Sequence, residues 1–301
     1  MAATQIIITF LLISMLSPKD FYTTGMSYIK RKPILNGENE RRFRSTFGTT
    51  PNIIYLIWQN IEPSLASESR YFHLLWALMF LKLYNNETVS AGMVGGVSEK
   101  TFRRHVWTVL AAIDKIKKDV IILDNRFKDQ NGSQCLLSVD GTDFKINEPH
   151  PFSRLWYSHK FNHAALRYEV AICIQTGEIV WIKGPFAAGA WPDIKIFRGW
   201  LKKYLLQGER VEADSGYQGD GKIDGPDDYA SCMGKYMEKF IVRARHETVN
   251  ARFKQFNALQ QTFRHSRHKH AHVFNSIAVI TQLAIQYGEP LFDVTYSTEN
   301  I

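Results

Sequence analysis

Three carboxylates stand in settings where they could act together. Asp140 ends the apolar run Cys135-Leu136-Leu137-Ser138-Val139 and is followed by Gly141-Thr142. Asp214 ends a second strand-like run, Val211-Glu212-Ala213, and is followed by Ser215-Gly216-Tyr217. Glu247 lies inside the helical stretch from Arg243 to Lys254. Two strand-end aspartates and one helix glutamate can converge on a pair of Mg²⁺ or Mn²⁺ ions. Two such ions, about 3.5–4 Å apart, clamp the attacking and leaving oxygens of a phosphodiester.

Each carboxylate has a rival reading. Asp140 could be a strand-end turn residue, and Asp143 close by reads as easily as a solvated side chain. Asp214 competes with Asp193, which follows Pro192 at a helix start, where the helix dipole favours an acid. Asp193 is therefore expected to be structural or to support the ligands. Glu247 could pair with Arg243 one turn back. Yet between Lys239 and Phe274 there are eight Lys/Arg and one acid, Glu247 itself. A lone acid among so many cations suits a metal site beside a polyanion better than a solubility face.

The positioning elements can be read from pattern. Thr50-Pro51 reads as an N-cap and first-turn proline opening a helix through Trp58. An apolar helix without a polar face, about Ser69 to Tyr84, should be buried. A short helix over Glu87–Val94, a Gly95-Gly96 turn and a Ser98-capped helix to about Ile113 make a helix-turn-helix shape. Its second helix has Phe102, Val106, Val109 and Ile113 on one face, with Lys100, Arg103 and Arg104 off it. After the polar cluster at 129–133 the texture changes to strands: 136–146, 164–174 and 179–183. A helix over 191–206, a strand over 210–213, a loop over 215–232 and helices over 233–256 and 271–287 follow. This order predicts a mixed sheet with helices on its faces.

Net charge +8 and pI 9.3 favour an anionic partner, and 45% hydrophobic residues argue for a packed core. Candidate phosphate contacts are Lys100, Arg103, Arg104, Arg245, Arg252, Lys254, Arg264, Arg267 and Lys269. Trp156, Tyr157 and His159 could stack on a distorted nucleotide or simply pack. His265, His268, His270 and His272 cluster in sequence, but no CxxC accompanies them, and the stretch reads as backbone-contacting rather than as a zinc site. Three cysteines, Cys135, Cys173 and Cys232, give no disulfide framework and point to a reducing compartment. The apolar run from Ile6 to Leu16 is short of the roughly 20 residues of a membrane span. It lacks a preceding Lys or Arg and a cleavage-type site, so a buried or partner-facing segment is expected. Lys30-Arg31-Lys32-Pro33 could direct the chain to the nucleus.

In order and residue type, this set resembles the RNase H-like catalytic core of DDE transposases, and most closely the Harbinger-like group of DDE superfamily endonucleases. The residues that carry the resemblance are Ser138-Val139-Asp140-Gly141-Thr142, the run from Gly189 to Arg198, and Glu212-Ala213-Asp214-Ser215-Gly216-Tyr217. Arg245-His246-Glu247, Asn250 and Arg252-Phe253-Lys254 complete them. The resemblance covers about residues 40 to 290 and implies an α/β fold: an RNase H-like mixed sheet flanked by helices, preceded by a helical, helix-turn-helix-like region. Residues 1–40 stay unassigned, 41–130 would bind DNA, and 134–290 would be the nuclease domain. Asp140, Asp214 and Glu247 would be the catalytic metal ligands, the last two 33 positions apart. The implied reaction is metal-dependent hydrolysis at the ends of a double-stranded DNA element, then strand transfer to target DNA. Pairing two ends would need at least two active sites, so the resemblance allows a homodimer, and it allows a separate DNA-binding partner protein. Two alternatives remain: a catalytically inactive DNA-binding descendant, and an RNase H-like nuclease acting on branched or RNA-containing substrates.

Overall fold

The computed structural model describes residues 16–128, 134–225, 233–294 and 296. All but the last residue of the Ile6–Leu16 run lies outside them, as do the polar cluster at 129–133 and Cys232.

Six helices open the described chain: α1 (Pro18–Tyr28), α2 (Gly37–Phe47), α3 (Pro51–Ile61), α4 (Tyr71–Leu83), α5 (Glu87–Met93) and α6 (Glu99–Val120). Local chemistry fixes their ends. The Thr50 hydroxyl accepts from the Ile53 amide ahead of Pro51, and the Ser98 hydroxyl caps α6 through the Thr101 amide. Gly95 and Gly96 take φ of 108° and 74° between α5 and α6, a region open to glycine. Two helices joined by a glycine turn therefore form, with α6 seven residues longer than expected. Helix α4 is buried along almost its whole length, as its lack of a polar face required.

The sheet follows: β1 (Cys135–Lys145), β2 (Tyr157–Ser158), β3 (His163–Cys173), β4 (Ile179–Ala187), β5 (Arg210–Ala213) and β6 (Ile223–Asp224). Across it the order is β4, β3, β1, β5, β6, with β2 added to the start of β3. β1, β3 and β4 are antiparallel; β5 and β6 run parallel to β1. This is the RNase H-like arrangement that the resemblance implies. Helix α7 (Asp193–Gly199) connects β4 to β5, and α8 (Met233–Lys254), α9 (Asn257–Gln260) and α10 (His270–Gln286) complete the fold.

The two sheet faces have different cores. Leu137, Val139, Val211 and Ala213 meet Phe197, Leu201 and Tyr217 on the α7 side. The other cluster runs from Phe144, Leu166, Tyr168 and Val170 through α10 into α6, α4 and α1. The helical region and the sheet thus share one continuous apolar interior. Among the described residues no helix is long and apolar enough to cross a membrane.

One helix differs from expectation. The stretch expected to be helical to about 206 breaks at Trp200, whose φ and ψ are −132° and −80°, and resumes as one 3₁₀ turn over Leu201–Tyr204. Trp200 packs instead between Phe186 and Trp191, at ring distances of 4.6 and 5.2 Å. Rings on β4 and at the helix entry outweigh helical continuity there.

Candidate active site

Strand register sets the site. Parallel β1 and β5 pair Ser138 with Glu212 and Val139 with Ala213. The next residue on each strand is an aspartate, so Asp140, within β1 where its pairing with β5 stops, stands beside Asp214, just past the carboxyl end of β5. Neighbouring strands lie about 4.8 Å apart, and open α/β sheets bind ligands beyond that end.

Alternation along the strands turns Ser138 and Glu212 toward α8. The Ser138 hydroxyl donates to Glu212, and Arg243 Nε donates to Glu212 Oε1 at 2.9 Å. His246 Nε2 lies 3.0 Å from Ser138 Oγ. One turn further, Asn250 Nδ2 donates to Asp140 Oδ2 at 3.3 Å. Residues 243, 246 and 250 share one face of α8, and Glu247 projects beside them to solvent. Arg243 is committed to Glu212, so the expected rival partnership with Glu247 is not the one made.

Charge accumulates at this point. Burial, then the Asp214 carboxylate and more weakly Glu247, push Asp140 up to about 6, partly offset by Lys160. Asp193 is also raised to about 6, by burial and by Asp143, Asp140 and Asp214, against the Arg167 guanidinium. Asp193 therefore belongs to the same charged cluster. Its Oδ1 is buried without a hydrogen bond; Arg167 Nη1, 3.4 Å away, neighbours it as a charge. Asp143, read as easily as a solvated side chain, is instead buried. It accepts from Arg167 Nε at 2.7 Å and from the Ser158 hydroxyl at 2.6 Å, because register sets Arg167 directly across the strand.

Further acids lie behind the cluster. Glu169, paired across the sheet with Gly141, is fully buried, accepts from Trp181 Nε1 at 3.0 Å, and is raised by burial to about 8. Nothing in the sequence singled out Glu169 or Arg167; the only signal was an acid and a base within an apolar strand.

As placed, no three His, Cys, Asp or Glu side chains among the described residues surround one ion position. Charge and donor type nevertheless fit a divalent cation: hard carboxylate oxygens, mutually repelling, with a buried oxygen on Asp193 lacking a donor. Glu247 is exposed and can reorient, whereas Asp140 is held by Asn250 and Asp214 by the Gly216 amide.

The basic candidates divide. Lys100, Arg103, Arg104, Arg264 and Arg267 are exposed, and Lys254 and Lys269 are partly so. Arg103 pairs with Glu87, and Arg264 lies over Tyr84 and donates to its carbonyl. Arg245 departs from expectation. It is 2% exposed and donates to the carbonyls of Phe292 and Ile174, so its donors are used within the chain. Arg252 likewise donates to the Glu289 carbonyl at 2.6 Å. Both brace the segment after α10 rather than offer a phosphate contact. The histidines diverge: His270 is buried against Tyr168, His272 pairs with Asp114, and His265 packs among Phe80, Tyr84, Trp107 and Phe263.

Compared with known proteins, residues 139–282 match the family described as DDE superfamily endonuclease. No curated protein and no solved structure gives a match. Endonucleases of this superfamily generally use divalent metals, and their substrate is DNA. The matched segment contains Asp140, Asp193, Asp214 and Glu247 together with most of the sheet that aligns them, and over residues 139–282 the chain is similar to the DDE superfamily endonucleases.

Proposed function

We propose that this protein is a DNA endonuclease of the transposase type, with Asp140, Asp214 and Glu247 holding two Mg²⁺ or Mn²⁺ ions. The observation that carries this is the parallel β1–β5 register, which sets Asp140 beside Asp214, with Glu247 close enough to raise the Asp140 acid. Bound divalent cations would supply Lewis-acid activation of the phosphodiester and balance the negative charge of the cluster.

The chain's own residues orient and separate charge. Asn250 fixes Asp140, and the Gly216 amide holds Asp214 Oδ1 at 2.8 Å. Arg167 joins Asp143 to Asp193 behind them. His246 is buried, lowered to about 4 by that burial, and occupied with Ser138. It is therefore neutral near pH 7 and supports the strand end rather than acting as a general base.

Harbinger-type element ends, strand transfer by the freed 3′-OH and a homodimer that pairs two ends complete the proposal. The domain roles are part of it, with 41–130 binding DNA and 134–290 cutting it. DNA contacts would come from Lys100, Arg104, Lys254, Arg264, Arg267 and Lys269. The Lys30–Pro33 patch is exposed, which supports a nuclear location. A separate DNA-binding partner would be needed if the α5–α6 unit alone does not engage DNA. The test is Mn²⁺-dependent nicking of supercoiled DNA by purified protein. Salt-sensitive DNA binding without nicking, on cognate ends as well, would replace this reading with the inactive DNA-binding descendant.

A further inference from the structure

A basic and aromatic track leads away from the carboxylates. It begins at Lys160, exposed in the turn after β2 and close enough to Asp140 to offset part of its charge. The next ring, Phe161, is flanked by Lys145 Nζ at 5.2 Å and Lys254 Nζ at 5.9 Å. Lys145 ends β1, and the following residue, Ile146, bridges to Phe263. Those two residues, with Glu148, His265, Ser266 and Arg267, line a cavity of about 250 Å³. At its rim the Arg267 guanidinium lies 4.4 Å over the Trp156 ring.

We propose that this track carries one DNA strand away from the cutting site and that the cavity receives a nucleobase turned out of the duplex. The proposal rests on the endonuclease reading only for where the strand begins. Proteins that hold single strands combine a positive groove with rings on which bases stack, and both are present here along one path. The cavity lies below the roughly 300–1,000 Å³ that drug-sized ligands fill, so it suits one flat ring system. Glu148 in its wall repels a phosphate but accepts from the amino group of adenine, cytosine or guanine. Phosphates would therefore stay with Lys145 and Lys254 outside and with Arg267 at the rim, and a base would enter. Ile146 lies six positions along the chain from Asp140. At roughly 3.3 Å per residue this is about 20 Å, some six nucleotides at the helical rise of ~3.4 Å.

The test uses the full chain carrying Asp214→Asn, in EDTA so that no DNA is cut. Affinity is measured for a fully paired duplex and for a fork of equal length and charge with several unpaired bases. The fork should bind about tenfold tighter, the scale of one stacked base. Ser266→Phe, which fills the cavity without changing charge, should bring the fork-to-duplex ratio to about one. Phe161→Ala should lower the ratio partway. Thermal melting checks that each variant folds. Equal affinity for fork and duplex, or an unchanged ratio in folded Ser266→Phe, would overturn the site. Mn²⁺ nicking by wild type is read separately. A chain that nicks without fork preference loses this site and keeps the endonuclease reading; one that prefers forks and never nicks does the reverse.

Discussion

The carboxylate of Asp193 fills the space a side chain at Gly141 would need: a Cβ there would run into Asp193 Oδ1. Gly216 also neighbours the group, where a Cβ would make an ordinary contact of 3.4 Å with Asp193 Oδ2. Gly141, next to a proposed ligand aspartate, thus leaves room for a further aspartate from α7. Gly141→Ala should force Asp193 or the strand end to move, costing about 1–3 kcal/mol as an overpacked site. Metal-dependent nicking should fall at least tenfold while the protein still folds. Paired thermal melts and nicking rates check this, and unchanged nicking would remove Asp193 from the working cluster.

The raised acids give a pH prediction whose sign is opposite to that of a salt-bridged carboxylate. A raised folded-state value means the folded chain holds its proton more tightly than the unfolded chain. For Asp140, with an ordinary value of 3.8 raised to about 6, that stabilisation is present below the ordinary value and lost as pH rises through about 6. At neutral pH the metal-free protein therefore carries the cost of a buried charge, and of its repulsion by Asp214 and Glu247, which Asp140→Asn relieves. The variant should melt higher than wild type in EDTA, by up to about 3 kcal/mol. Mn²⁺ should stabilise wild type but not the variant, and the wild-type gain should fade below about pH 6 as protons compete. A variant that is less stable in EDTA at neutral pH would contradict the crowded cluster.

Much of this was legible from pattern alone. The strand Arg210–Ala213 was expected with the bounds it has, and β1 and α10 each began one residue earlier than read. The positions of Asp140 and Asp214 follow from short apolar runs that stop at an acid, which is a local signal, although β1 itself runs on past Asp140 to Lys145. Their being side by side is not local: it depends on β5 pairing parallel to β1 across a connection of some seventy residues. Asp143 and Arg167 are 24 positions apart, so their pairing depended on the β1–β3 register. Helices α1 and α2 went unread although their cues were present. Ser17 and Asp20 form a capping box, Asn36 caps α2, and Gly48 closes it at φ 80°. Polar α2 offered little apolar periodicity, with only Phe43 and Phe47 marking its buried side.

Arg245 and Lys254, both candidate DNA contacts by sequence, should behave oppositely. Arg245→Leu leaves the Ile174 and Phe292 carbonyls without their donor and should cost about 2–4 kcal/mol. Its DNA affinity per folded molecule should stay near wild type. Lys254→Ala should leave melting nearly unchanged and lower the salt slope of DNA binding by about one. Salt-titrated binding beside thermal melts separates the two, and a salt-slope change for folded Arg245→Leu would reverse the assignment.

The α5–α6 unit makes a narrower claim. Lys100 and Arg104 are exposed at the start of α6, whereas Arg103 is held by Glu87. Replacing Lys100 and Arg104 together with Ala should weaken duplex binding and reduce its salt slope by about two. Arg103→Ala should loosen the α5–α6 corner only slightly, since an exposed pair contributes little. If the double variant binds duplex as wild type does, DNA recognition lies elsewhere on the chain or on a partner.

The most direct measurement is Mn²⁺-dependent nicking of supercoiled DNA by wild type beside Asp214→Asn. The substitution keeps side-chain size and can retain the contact to the Gly216 amide, while removing one charged ligand from the pair that the strand register aligns. Nicking by wild type that is lost in Asp214→Asn, with equal melting in EDTA, is the predicted result. Equal nicking by both proteins would contradict the assignment of Asp214 and, with it, the proposed metal site.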